Sequence, residues 1–399
     1  MLNHRSIFLR QNEVAPRLTG IMTEKEAFLA DIVEHPDEDA PRLVFADWLE
    51  DHDEAEFAEF IRVQCALARE KPNHPRRAAW LARETELHGH AVAWLGRTFE
   101  RCDRIFFRRG FVESIHIRTE FLLEHCATLF DRHPIRMLRL LWLGAEQLSA
   151  LASLPQLQRL AVLIAPGSFR HAGCEQLLHS PHLHRLRGLA LNDTPIGVRG
   201  LQMLLDSPSL TGLTHLHLGA SRIGEDGIQM LASSSNCQRL VALDVRGNRL
   251  GINAIRALDH SPYLTNLRRL GWWYNRLGDE GLAEFLDLPL FTQLEHLSLG
   301  NNHITRIGLE RLAATPALVG LRTLWLGVDR YDAVGILALV HSKHLHPQAR
   351  IGVWLTEPIA EEVKTEARAR LGDRISFDMP GEAWDGDPTV SWPLWQTTR

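Results

Sequence analysis

Of the 21 histidines in the chain, His215 and His217 form the most suggestive pair for chemistry. They lie two apart in a stretch that reads as a β-strand, so both imidazoles project from one face. Asp244 sits on the outward side of the next such stretch. Two imidazoles and a carboxylate are a donor set for zinc or another divalent ion, which leaves a metal-dependent hydrolase open as one reading. With no further certain ligand, the plainer reading makes the three polar contact residues on an open sheet, and no metal and no cofactor is expected. His182–His184 and His344–His346 repeat the spacing in polar, loop-like surroundings. Paired carboxylates such as Asp51/Asp53 and Glu225/Asp226 read as solvated helix starts, where the helix dipole favours negative charge. No phosphate-binding GxxxxGK[ST], strand-borne GxGxxG, HExxH or GxSxG occurs, so no catalytic residue is assigned and the chain reads as a non-enzyme.

The five cysteines (Cys65, Cys102, Cys126, Cys174 and Cys237) are scattered, odd in number and lack any CxxC. They read as buried thiols in a reducing cytoplasm, not as a disulfide frame or a zinc site. Lys+Arg of 44 against Asp+Glu of 49 gives a net charge of −5, which offers no general attraction for nucleic acid. The apolar runs are too short to span a bilayer, and the first residues lack the sustained apolar core of a signal peptide.

What must position these residues is a repeat. LRGLALNDTPI starts at Leu186 and LTHLHLGASRI at Leu213; LVALDVRGNRL, LRRLGWWYNRL, LEHLSLGNNHI and LRTLWLGVDRY follow, each 27 residues after the last. The LxL alternation has period two, so Leu189 and Leu191 point to one layer while Gly188, Ala190 and Asn192 face the other. The ninth position carries Thr194, Ser221, Asn248, Asn275, Asn302 and Asp329, all small and polar, which can form a ladder that bonds the turn leaving each strand. Stretches such as IGEDGIQMLASSS then show apolar residues at helical spacing. Gly200, Gly227, Gly281, Gly308 and Gly335, with Ala254 in the sixth slot, allow close helix packing; Pro208, Pro262, Pro289 and Pro316 recur near the helix ends. The LxxLxLxxNxL pattern resembles the leucine-rich-repeat family, and the 27-residue length its long, ribonuclease-inhibitor-like class. Further strands are expected around Val112–Ile117, at Leu138/Leu141/Leu143, at Leu157/Leu160/Val162 and at Ile351/Val353, roughly ten in all and on the order of 45 Å across.

Residues 22–100 read differently, as four helices. Thr23 and Glu26 form a capping box ahead of Phe28, Leu29, Ile32 and Val33. A second helix beginning near Asp39-Ala40-Pro41 should bury Leu43, Val44, Trp48 and Leu49. A third carries Phe57, Phe60, Ile61, Gln64 and Leu67, and a fourth spans about 77–96. MTEKEAFLADIVEHPDEDAPRLVFADWLED and AEFIRVQCALA resemble a bacterial repeat-companion domain, and RGFVESIHI the lead-in joining it to its repeats. The resemblance implies no catalytic or ligand residues.

The expected architecture is therefore α/β. Residues 1–21 form an extension without fixed structure, 22–100 a helical domain and 105–378 a right-handed leucine-rich-repeat horseshoe with a parallel sheet inside and helices outside. Residues 379–399 are a Pro/Trp-rich tail. Outward strand positions collect Trp142, His215, His217, Asp244, Arg246, Arg269, Trp273, Tyr274, His296, Trp325 and Trp354. Such residues dominate interface energetics, and solenoids use this surface for partners. A monomer that binds an unidentified protein on its concave face is the expected function, with no nucleic acid and no membrane as partner. The alternatives are a regulator of an enzyme, of the GTPase-activating or inhibitor type, and the hydrolase above. Trp273 and Trp325, with His296 between them, should form an apolar shelf.

Overall fold

The structure is a computed structural model and describes residues 22–96, 98–167, 171–327, 329, 331–355 and 358–377. The expected extension at 1–21 and the tail at 379–399 lie outside the described residues.

Four helices come first: α1 (Glu24–Glu34), α2 (Ala40–Asp51), α3 (Ala55–Arg69) and α4 (Arg77–Leu95). The capping box forms, with the Thr23 hydroxyl accepting from the Glu26 amide at 3.2 Å and the Glu26 carboxylate from the Thr23 amide at 3.0 Å. On α2 the expected face holds at Leu49, which is buried, and at Leu43 and Trp48, which pack half-buried against the core, but Val44 is 53% exposed and Arg42, Phe45 and Ala46 turn inward in addition. The reason is the tight turn between α1 and α2. Its carbonyls need donors, and the Arg42 guanidinium supplies them to Glu38 at 2.7 Å and Pro36 at 2.9 Å. Holding Arg42 inward rotates the helix and brings Phe45 into the core in place of Val44. That core unites Ile32, Phe45, Leu49, Phe57, Phe60 and Ile61.

The joint to the sheet is a hairpin of β1 (Arg104–Arg108) and β2 (Phe111–Arg118). Its turn residues Arg109 and Gly110 have φ of 52° and 84°. Gly110 is required twice over: its φ suits glycine, and a methyl there would collide with Ile61. Its amide donates to Gln64 at 2.7 Å, and Phe111 enters the helical core. Beneath the turn, the fully buried Glu113 lies 3.4 Å from both Arg42 and Arg108. Burial pushes the Glu113 carboxyl up from the usual range, and the arginines pull it back. Helix α5 (Thr119–Arg132) then packs against α1.

Ten more strands follow: β3 (Met137–Leu141), β4 (Val162–Ile164), β5 (Gly188–Ala190), β6 (His215–His217), β7 (Ala242–Asp244), β8 (Arg269–Gly271), β9 (His296–Ser298), β10 (Thr323–Gly327), β11 (Arg350–Trp354) and β12 (Ile375–Ser376). All twelve form one sheet in chain order, parallel from β2 onward. The hairpin strand β1 and the short β12 are the two beyond the expected ten. Leu189, Leu216, Leu243, Leu270, Leu297, Leu324 and Ile351 occupy one row of the sheet, so the 27-residue spacing is the strand register itself.

Two early registers need correction. Leu138, Leu140 and Leu143 face the core, whereas Leu141 is only half-buried on the other side. In β4 the core residues are Leu163 and Ala165, preceded by Leu160, and Val162 points to the opposite face. Both shifts follow from repeat length. Val112, Ile135, Leu160 and Leu186 are equivalent starts, 23, 25 and 26 residues apart, so a 27-residue template slips by one or more.

Helices cover one face of the sheet, and a continuous apolar layer from Leu95 to Ile375 fills the space between. The small residues keep this layer thin: a methyl on Gly227 would stand 2.7 Å from Ile223 and 3.1 Å from Leu201 of the preceding repeat. The turns are held by the polar ladder. Asn275 Oδ1 accepts from the amides of Asn248 (3.1 Å) and Leu250 (3.0 Å), and its Nδ2 donates to the carbonyls of Val245 and Trp272. Asn248 and Asn302 donate to equivalent carbonyls, while Asp329 accepts from the amides of Asn302 and Ile304.

Candidate interaction face

The sheet face away from the helices carries the outward residues, but accessibility divides them into three groups. His215, His217 and Asp244 are 2%, 2% and 3% exposed, and Trp273 8%. Arg246, Arg269, His296, Trp325 and Trp354 are half-buried. Trp142 and Tyr274 are 78% and 51% exposed. Period-two alternation correctly assigns the face without revealing how deep each residue lies within it.

The histidine–aspartate set does not close into a metal site. His217 is paired with Asp244 in strand register, and the Asp244 carboxylate also lies over Gly271 of β8. Its Oδ1 accepts from the Arg246 amide at 3.0 Å, and the Arg246 Nε stands 3.9 Å from Oδ2. Among the described residues no group of three His, Cys, Asp or Glu is placed to hold a metal ion. Burial pushes the His215 imidazole down to about 3, helped by the positive field of His217 and Arg269. Its Nδ1 lies 2.9 Å from the Thr214 hydroxyl. His296 is lowered to about 4, again chiefly by burial, with Arg269 and Arg322 adding to the effect. These are neutral, packed imidazoles at pH 7.

The aromatic residues are arranged differently from the expected shelf. The Trp273 ring lies flat across Gly300 of β9's exit and reaches Gly327 of β10; a methyl at either would come within 2.7 Å of it. It stacks on Trp354 of β11, at 6.5 Å and 23° between planes, and meets the neighbouring Tyr274 ring at 6.2 Å and 43°. The Trp325 ring instead covers Gly352 of the next strand. Glycine at outward positions leaves a trough of bare backbone, and an indole that lies down in it buries more area than one that stands up. These glycines form the floor of the site, and sequence reasoning missed them. Their signal was visible as Gly271, Gly300, Gly327 and Gly352, all at positions that face outward.

Trp142 and Tyr274 are not on strand positions. Each is the left-handed residue of the turn after its strand, with φ of 61° and 56°, so their rings stand at the rim. A further unforeseen feature is an apolar patch on the same face, where Met137, Val162, Ile164 and Ala190 are buried together. The nearly unbroken apolar run LAVLIA was its trace.

A family model described as a leucine-rich repeat matches residues 292–313, which hold β9 and most of the helix Arg306–Ala314. No curated protein matches the chain. Among solved structures, that of a protein from Bacteroides fragilis is similar over 60% of this chain and 74% of that one, at 13% identity and a TM-score of 0.35. No described helix is long and apolar enough to cross a membrane. The matched unit lies in register with its neighbours along one sheet that is parallel from β2 onward, and the repeated strands are each followed by a turn and an outer helical segment, so the fold is that of a leucine-rich-repeat solenoid.

Proposed function

We propose that the chain is a non-enzymatic, monomeric interaction module whose concave sheet face docks a protein partner, with the repeats in the long class and residues 22–100 acting as a companion domain. The observation that carries this reading is the prearranged aromatic floor. Trp273 and Trp325 lie on glycine backbone before any partner arrives, Trp354 stacks beside Trp273, and Arg246 and Arg269 stand on the same face. Rigid aromatic side chains beside arginines are the kind of surface on which a few contacts carry most of the binding energy, and a prearranged surface loses little entropy on binding. The hydrolase reading lacks comparable support, because among the described residues no group of three His, Cys, Asp or Glu is placed to hold a metal ion. The free, buried thiols of Cys65, Cys126 and Cys237 support a reducing, cytoplasmic setting.

Because Trp273 is buried, the cleaner test pairs Trp325→Ala with Trp354→Ala. The partner captured from the native host should bind this double variant about 2–4 kcal/mol more weakly in calorimetry, with the melting temperature nearly kept. Full affinity in a folded double variant would move the binding surface off this face.

A further inference from the structure

A second site lies where the helical domain meets the edge of the sheet. A cleft of about 540 Å³ opens there between the α1–α2 turn, which contributes Glu34 and Asp37, and the residues leading into β3, β4 and β5. Those three successive approaches contribute Arg136, Arg159, Arg185 and Arg187. The repeat brings them together: residues just ahead of neighbouring strands are spaced by about 4.8 Å per strand, so like charges accumulate along one wall.

The charges do not balance within the cleft. Arg136 pairs with Asp37 at 2.5 Å. Arg159 donates to the Phe130 carbonyl at 2.7 Å, and Arg187 reaches only the carbonyls of Leu186 and Gly212, at 3.4 Å. Arg185 makes no ion pair or hydrogen bond among the described residues. Three guanidinium groups therefore face a single remaining carboxylate, Glu34. Like charges held a strand apart repel, and a bound anion relieves that repulsion. Guanidinium groups also present paired donors matched to phosphate or carboxylate oxygens.

We propose that this cleft binds a small molecule bearing two or more oxyanion groups, phosphate or carboxylate. Its volume falls in the range of small-molecule sites, which favour domain junctions. The positive field is local, since the whole chain carries a net charge of −5, and this disfavours a long polyanion such as nucleic acid. A ligand held by arginines of the sheet, and facing the α1–α2 turn, would also brace the helical domain against the repeats.

Calorimetric titration of the full chain at low ionic strength, with inorganic pyrophosphate and with citrate as probes, tests this site. At least one probe should bind saturably at one per chain, and which one binds assigns the phosphate or the carboxylate source. Arg185→Ala with Arg187→Ala should weaken that binding at least tenfold. Arg350→Ala, an exposed arginine at the far end of the sheet, should leave it unchanged. Both cleft arginines are exposed, so the melting temperature should hold; Arg185→Gln alone, which loses no contact, serves if the pair does not fold. The proposal is overturned if neither probe binds at millimolar concentration, if Arg350→Ala weakens binding equally, or if only polyglutamate binds.

Discussion

Replacing Asn275 by leucine tests whether the ladder, more than the apolar layer, holds the turns of the repeats. Asn275 is 3% exposed, and its Oδ1 is the acceptor for the buried amides of Asn248 and Leu250. Leucine fills a similar volume but accepts nothing. Each orphaned amide costs about 1–3 kcal/mol, and the carbonyls of Val245 and Trp272 lose a donor as well. Burying the leucine side chain returns about 1–2 kcal/mol. The net loss expected is about 2–4 kcal/mol, read as a lower urea midpoint with unchanged slope. Repeat arrays can open locally, so hydrogen exchange at the Asn248 and Leu250 amides gives a second readout and should accelerate before the rest of the sheet. Thr194→Val is the internal comparison. Among the described residues Thr194 accepts only from the Gly167 amide and donates to the Asn192 carbonyl, so its loss should cost about 1 kcal/mol. A loss below about 1 kcal/mol for Asn275→Leu, with both amides still protected, would refute the ladder argument.

Acid should destabilise the fold through its buried imidazoles. His133 and His215 stay neutral in the folded chain down to about 3 and His296 to about 4, whereas the unfolded chain takes up these protons below about 6.5. The imidazoles' contribution to stability is therefore level above pH 6.5 and falls between pH 6.5 and 4, by at most about 1.4 kcal/mol per pH unit for each imidazole. His215→Gln should reduce that slope by one imidazole's share, and an identical slope would remove His215 from the account. At the joint, Arg42→Ala leaves the buried Glu113 carboxyl with Arg108 as its nearest cation and frees the carbonyls of Pro36 and Glu38, and should cost about 3–5 kcal/mol, with partial recovery when Glu113→Gln is added; a cost under 1 kcal/mol, measured by denaturation, would contradict the burial of this pair. Trp142→Gly relieves a left-handed backbone at an exposed residue and should raise stability by about 0.5–1 kcal/mol; a lower melting temperature would show that the indole packs against something.

The regular half of the molecule was legible because a repeat states its register many times. From Leu186 onward the 27-residue spacing alone places every inward leucine and every ladder residue. Ahead of Leu186 the unit length drifts, and LRLLWLG offers leucines at 138, 140, 141 and 143 among which periodicity cannot choose. On α2 the apolar stripe pointed to Val44, yet the unsatisfied carbonyls of the preceding turn pulled Arg42 inward, and no hydrophobic pattern counts carbonyls. The candidate face was legible as a set of residues but not as a surface. Whether Trp273 stands or lies depends on Gly300 and Gly327, one and two repeats away. The arginine cleft was hidden because its members come from four separate loops and acquire meaning only when the helical domain closes over them.

The left-handed slot after each strand has a consequence for how this surface could vary. Trp142, Asp193, Ala220, Gly247, Tyr274 and Asn301 all occupy it, with φ between 53° and 66°. In the regular units the residue after it belongs to the buried ladder, as Asn275 follows Tyr274, and is bound by chemistry to stay small and polar. The slot itself lies outside the apolar layer; its chief constraint is the backbone angle, which glycine and asparagine meet most easily and an indole meets at a small cost. Two alphabets thus run side by side along one edge of the sheet, one nearly fixed and one free. A new surface can be spelled in the second, residue by residue, without rewriting the first.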